Sequence, residues 1–329
     1  MKRRVSIYAF CSIKGGVGKS TLAVASAKLL AGNGRVPVLI DADLTGTSLA
    51  DGLLLRAPIV VRRADGGLDL EAAPTGKHYE VEDTIQLRSA RKASAPSERP
   101  VPPAYLNDAL TYVGVEGGPD CRVDAIVWKH QNEDGVLYLP SSPLLRDVTI
   151  SLGWLYKEEP FHWLLRFTWV LDALLQRSRD ITDVVLDLPP GVFGFGHETL
   201  VLLSVLSSGE GLPEGFPAWK TDIQWDVRPF LVTTPDFNDI LPALEYVAAQ
   251  SGRLPTLVPI LNRSTEAIAV VKEKVRHRLG RVLGALGIEE RLEPIAAMPL
   301  TLGRIFIDQD LAMADARREL SPTLLKERS

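Results

Sequence analysis

The segment Lys14-Gly15-Gly16-Val17-Gly18-Lys19-Ser20-Thr21 constrains this chain more than any other. Upstream, Val5 to Ser12 is an apolar, β-branched run that reads as a buried strand. Downstream, Lys19 to Leu30 carries alanines and leucines at helical spacing. A glycine-rich loop between a strand and a helix lets several backbone N–H groups approach one anion, because glycine has no Cβ and reaches positive φ. The helix opening at Lys19 adds unpaired N–H groups and the positive end of its dipole. That arrangement suits a triphosphate, with Lys19 reaching the β and γ phosphates and the Ser20 hydroxyl ligating Mg²⁺. The competing reading, a glycine turn that happens to precede a helix, requires a chance match expected in very roughly one chain in ten thousand.

Arg35 to Ile40 reads as a second buried strand after a Gly-Asn-Gly turn, completing a βαβ unit. Near-continuous apolar strands of this kind belong in a parallel sheet covered on both faces. Further strands are expected at Gly135 to Pro140, Ile181 to Leu188, Arg228 to Thr234 and Thr256 to Asn262, with helices at Phe161 to Arg177 and Ala267 to Leu286. Between them the pattern decays twice. Residues 62–134 include RSARKASAPSERPVPP and read as an insertion with a mobile basic loop carrying Arg88, Arg91, Lys92 and Arg99; residues 207–227, rich in Gly, Pro and Trp, read as a smaller one. The expectation is one doubly wound, mostly parallel α/β domain over residues 1–329, a P-loop NTPase fold with two insertions.

Composition closes off other classes. A net charge of −4 gives no global basic field for nucleic acid or anionic lipid, so nucleic-acid contact has no support beyond the basic loop. The two cysteines, Cys11 and Cys121, form no CxxC pair, which excludes a disulfide framework and a Cys-rich metal site within one chain and fits a reducing cytoplasm. The N-terminal apolar run is short for a secretory signal and lacks a cleavage site. No transmembrane segment is expected, since nothing approaches roughly 18 uninterrupted apolar residues. The C-terminal LAMADARRELSPTLLKERS lacks the bulky apolar face of a membrane-anchoring helix, so peripheral membrane contact is not expected either.

Where the generic G-x-x-x-x-G-K-[ST] pattern has its first glycine this chain has Ile13, followed by a second lysine, Lys14. These residues resemble the deviant Walker A motif, KGGVGK[ST], of the MinD/ParA family, which includes chromosome and plasmid partitioning ATPases and division-site ATPases. The resemblance implies Mg²⁺-ATP bound by Gly15, Gly16, Val17, Gly18, Lys19, Ser20 and Thr21, and an ATP-dependent homodimer in which Lys14 reaches the partner's phosphates. An unidentified protein cargo or activator would complete the cycle.

A triphosphatase needs carboxylates near Mg²⁺ and a group that orients the attacking water. Asp41 and Asp43, in LIDADLTGTSL, lie at a strand end where doubly wound sheets hold ligands, although such a pair also serves as a loop with a helix cap. The resemblance makes this segment switch I, with Asp41 beside the metal and Asp43 positioning water. Asp187 in VVLDLPPG matches the Walker B aspartate that holds a water of the Mg²⁺ shell, and Gly191 the glycine whose N–H senses the γ phosphate. The DLPPG wording is also similar to iron–sulfur carriers of the superfamily, but their CxxC is missing here. Asn262 and Pro299 fall where the family contacts the purine, although a strand-ending Asn is also an ordinary turn residue. An ATP-dependent amide-forming ligase on the same scaffold, or a non-hydrolysing nucleotide-binding module, remains an alternative. The aromatics Phe161, Trp163, Phe167 and Trp169 read as core or interface, and His197 as structural.

Overall fold

The computed structural model describes residues 2–44, 49, 53–58, 61–62, 68–69, 78–79, 105–111, 123–157, 160–192, 194–208, 216, 222–250, 252–254, 256–286, 301–303, 309–316 and 319–328. In chain order the first half comprises β1 (Arg3–Ser12), α1 (Lys19–Gly32), β2 (Pro37–Asp41), β3 (Leu55–Pro58), β4 (Val61–Arg62), β5 (Leu68–Asp69), β6 (His78–Tyr79), α2 (Leu106–Thr111), α3 (Val123–Ile126), β7 (Trp128–His130) and β8 (Leu137–Leu139). The second half comprises α4 (Leu145–Lys157), α5 (Pro160–Arg177), β9 (Asp183–Pro190), α6 (Phe195–Ser208), β10 (Ile223–Thr233), α7 (Phe237–Gln250), β11 (Val258–Asn262), α8 (Ile268–Leu286), β12 (Thr301–Gly303), α9 (Gln309–Ala316) and α10 (Pro322–Arg328).

The main sheet has the order β12-β11-β10-β1-β9-β2-β8-β7-β3-β6. From β12 to β8 every pairing is parallel, and the edge beyond β8 is antiparallel. β1 lies in the middle and is covered on both faces. Val5, Ile7, Ala9 and Cys11 pack into one apolar cluster with Trp163 and Phe167 of α5 and Leu200 and Leu203 of α6. Phe10 joins Ala23, Val24 and Ala27 of α1 on the other side, with Leu39 and Val185. This two-sided cover is why β1 reads as an almost unbroken apolar run. Trp163 stacks on Phe167 with ring centroids 5.1 Å apart and tilts against Phe195 at 4.8 Å, so these rings are core.

The chain leaves β1 through α1 toward β2 and β8, returns to β9 between β1 and β2, and then crosses to β10 and β11 on the opposite side. The connections after β1 and β9 therefore diverge, and the crevice at the carboxyl ends of these two neighbours is where an open α/β sheet places its ligand.

Parts of the two stretches set apart in the sequence belong to the body of the domain. α2 buries Leu106, Asn107, Ala109 and Leu110, and β7 carries the fully buried Trp128 into the sheet beside β8. Ile223 to Val227 open β10 and pair with Arg3 to Ile7 of β1. Their alternation of buried and exposed side chains lacks the continuous apolar signal of the strand's second half. The basic loop with Arg88, Arg91, Lys92 and Arg99 lies outside the described residues.

At the opposite end of α1 from the glycine loop, Lys28 is buried, donates to the Leu320 carbonyl at 2.7 Å and pairs with Asp134 at 3.4 Å. Tyr138 Oη donates to Asp134 at 2.6 Å. His130 sits beside this group, its Nδ1 accepting the Asn132 amide at 3.2 Å. Burial, and then the Lys28 charge, hold the His130 pKa below its ordinary 6.5, against the pull of Asp134. The unfolded chain thus takes up this proton at a higher pH than the folded one, and stability falls as pH drops below about 6.5. Thermal melts from about pH 7 to about pH 5.5 are expected to show this decline. His130→Gln should flatten it, and an unchanged slope would remove His130 as the cause.

Candidate functional site

The carboxyl ends of β1, β9 and β2 bring the sequence-predicted residues together. After Ser12 the chain turns through the glycine loop, where Gly16 and Gly18 take φ of 80° and 88°. A side chain would be strained in both conformations. Among the described residues no heavy atom lies within 4 Å of where a Cβ would sit on Gly15 or Gly16. Gly18 is the N-cap of α1 and no side chain caps the helix, which leaves first-turn N–H groups for an anion. Thr21 follows in that first turn, half-buried.

Lys19 does not project into solvent. It is buried and makes a short ion pair with the fully buried Asp187 of β9, with the Ser20 hydroxyl 3.4 Å from its Nζ. Burial pushes the Asp187 carboxyl up from its ordinary range; Lys19 and Ser20 oppose that, and the Asp43 charge adds to it. The Asp187 Oδ2 is buried with no hydrogen-bond partner among the described residues. A spare carboxylate oxygen beside a serine hydroxyl is a donor set that fits Mg²⁺, which takes one or two protein oxygens and keeps waters and phosphate oxygens for the rest.

Asp41 is the register partner of Asp187 and is equally buried, but its carboxylate is engaged by the protein. It accepts from Ser141 Oγ at 2.6 Å, Ser141 N at 3.2 Å, Leu49 N at 3.4 Å and Asp43 N at 3.3 Å. Three of these donors converge on Oδ2, so Asp41 ties Ser141 to the chain that follows β2. Asp43 stands half-buried next to it.

Two further expectations meet a different geometry. The Gly191 amide, at φ 92°, donates to the Ser12 carbonyl at 2.8 Å, so it lies beside the glycine loop but is already satisfied. Asn262 Nδ2 donates to the Val17 carbonyl at 2.9 Å, and its Oδ1 is buried without a hydrogen-bond partner among the described residues. The side chain holds the loop backbone instead of lining an open base site. Pro299 lies outside the described residues.

Lys14 behaves unlike Lys19. Its side chain is 47% exposed at the loop rim, and its Nζ lies 3.2 Å from Asp239 Oδ1. Asp239 is in turn fixed by Thr234 Oγ1 at 2.6 Å. Neither Asp239 nor Ser141 stood out in the sequence. The available signal was position, since both follow strands at the ligand-bearing edge of the sheet. His197 Nδ1 lies 2.8 Å from Tyr246 Oη, a contact between α6 and α7.

A glycine loop at the N-terminus of a helix, a buried lysine–aspartate pair behind it and a parallel doubly wound sheet define a P-loop nucleotide-binding fold. The family model of the CobQ/CobB/MinD/ParA nucleotide binding domain matches residues 8–320, and the chain belongs to that family. Comparison with the curated proteins finds no match. Among solved structures, a ParA family ATPase from Chlorobium tepidum matches with a TM-score of 0.50 at 14% identity, over 100% of this chain and 95% of that one. The septum site-determining protein MinD from Pyrococcus horikoshii, complexed with Mg-ADP, gives 0.49 at 14% identity over 99% and 90% of the two chains. The MinD cell division protein of Aquifex aeolicus gives 0.47 at 15% identity over 99% and 90%. The first of these likenesses shows the shared fold.

Proposed function

We propose that this chain is an ATPase that binds Mg²⁺-ATP, closes as a homodimer around two nucleotides and reopens on slow hydrolysis. It acts in the cytoplasm as a switch for positioning, partition or assembly of a protein cargo. The observation that carries this reading is the unequal placement of the two loop lysines. Lys19 is buried on Asp187, whereas Lys14 stands at the rim on a half-exposed ion pair that a new partner can displace. Exposed pairs of this kind hold by about 1 kcal/mol or less.

In the proposed cycle the amides of Gly15 to Ser20 receive the phosphates, and Lys19 exchanges Asp187 for phosphate oxygens. Asp187 is thereby freed, and it and the Ser20 hydroxyl would hold Mg²⁺. Bound Mg²⁺ would neutralise charge on the β and γ oxygens. Asp43 orients the attacking water, and Lys14 leaves Asp239 for the phosphates held by the partner. Catalysis is then mostly electrostatic, since the transferred phosphoryl group needs positioning and charge neutralisation more than covalent help. Cargo or activator recognition is assigned to the two stretches set apart in the sequence, residues 62–134 and 207–227. Among the described residues no helix is long and apolar enough to cross a membrane.

The test is solution mass with and without Mg²⁺-ATP, with phosphate release followed in parallel. Wild type is expected to double its mass with ATP, and Lys14→Ala to lose either the stable dimer or turnover. Unchanged mass together with normal hydrolysis by Lys14→Ala would sink the switch reading and favour a ligase or a passive module.

A further inference from the structure

A buried polar chain runs from Asp41 away from the nucleotide site. β2 and β8 are parallel neighbours with Ile40 opposite Leu139, so Asp41 and the turn after β8 leave the sheet side by side. Ser141 gives Asp41 both its hydroxyl, at 2.6 Å, and its amide, at 3.2 Å. The next residue is anchored from the other side. The Ser142 amide donates to Asn107 Oδ1 at 2.6 Å and its hydroxyl to Asp147 Oδ2 at 2.6 Å. Asn107 Nδ2 donates to Ser151 Oγ at 2.8 Å, and the Leu106 amide to the Pro140 carbonyl at 2.9 Å. Asn107, Ser141, Ser142, Asp147 and Ser151 are all buried.

A buried carboxylate keeps its place only while its donors do. Asp41 spends its oxygens on the Asp43 and Leu49 amides, so whatever fixes Asp41 fixes the loop that carries Asp43. We propose that Ser141 is a positioning residue for this loop, held in turn through its neighbour Ser142 by Asn107 of α2, and that the arrangement sets where Asp43 stands during hydrolysis. This inference rests on the ATPase reading above. It adds to that reading a residue that touches neither nucleotide nor metal and is reached through a helix far from the motif in sequence.

Ser141→Ala is expected to lower phosphate release about tenfold, the scale on which outer-shell partners act. The KM for ATP should stay within about twofold, because the loss falls on the transition state rather than on binding. Hydrogen exchange at the Asp43 and Leu49 amides should quicken, and Ser141→Thr, which keeps the hydroxyl, should restore most of the rate. If Ser141→Ala does not fold, Ser141→Cys keeps the volume, weakens the donor and should move both readouts the same way. Unaltered turnover and exchange in a hydrolysing protein overturn the proposal, as does a loss spread equally over KM and turnover without rescue by Thr. A wild type that hydrolyses no ATP would instead sink the ATPase reading. In that case unaltered exchange at Asp43 and Leu49 overturns the positioning role too, and quickened exchange upholds Ser141 as the anchor of the loop.

Discussion

Replacing Lys19 by Ala is expected to remove nucleotide turnover and folding stability in one step. The lysine is buried against Asp187, whose side chain is fully buried. Deleting one partner of a buried pair strands the other, at a cost of roughly 3–5 kcal/mol. The cost should depend on pH with a definite sign. Burial already raises the Asp187 carboxyl, and without Lys19 it has less to keep it ionised. The folded variant then holds a proton that the unfolded chain has released, so its stability falls as pH rises through that window. Adding Asp187→Asn should recover most of the stability by removing the stranded charge, while turnover stays at least about a hundredfold down for want of the phosphate-binding cation. Denaturant melts of both variants at two pH values, alongside phosphate release, make the comparison. A Lys19→Ala protein as stable as wild type would mean that the pair is not a buried partnership.

How much of this was legible in the sequence depends on how local each signal is. The strand, glycine loop and helix from Val5 to Leu30 are written in nearest-neighbour chemistry, and the observed bounds extend them only to Arg3 and Gly32. The parallel sheet followed from apolar runs covered on both faces. That β9 lies between β1 and β2 has no local signal, because pairing of Asp41 with Asp187 is decided by how the whole chain winds. α4 escaped notice because LRDVTISLGWLYK holds β-branched residues and a glycine, and because Leu145 and Tyr156 stand exposed on it. α6 begins beside the glycines of a turn, and although Thr199, Leu200, Leu203 and Leu206 are buried on one face, the apolar Val201 and Val205 lie off it, which blurs the periodicity.

The site divides along the same line. Residue types and spacing brought Lys19 and Ser20 into view, since phosphate chemistry dictates them, and the family resemblance added Lys14 and Asp187. They did not say which polar groups the protein would spend on itself. Asp41, Gly191 and Asn262 are each bonded to neighbouring backbone here, and those partners, Ser141, Ser12 and Val17, are far away in sequence. Asp239 and Ser141 are the converse, plain residues given a task by tertiary position.

Asp43→Ala should separate binding from chemistry more cleanly than any other change at the site. Asp43 is half-buried, anchored through its own amide to Asp41, and close enough to Asp187 for its charge to push that carboxyl up. A group that orients or deprotonates the attacking water contributes about 10²–10⁴-fold to rate. Phosphate release should fall by that factor, whereas the loop, Lys19 and Ser20 that hold the phosphates are left intact. Removing a negative charge beside Asp187 also eases the approach of a triphosphate, so ATP should bind at least as well as to wild type. The ATP-dependent rise in mass is then expected to persist and to outlast that of wild type, because in the proposed cycle it is hydrolysis that reopens the dimer. Lys14→Ala should do the opposite, weakening the dimer itself. If Asp43→Ala turns over at the wild-type rate, the water-orienting role belongs elsewhere. If it fails to gain mass with ATP, Asp43 serves the assembly of the dimer and the division of labour between the loop lysines and this aspartate has to be redrawn.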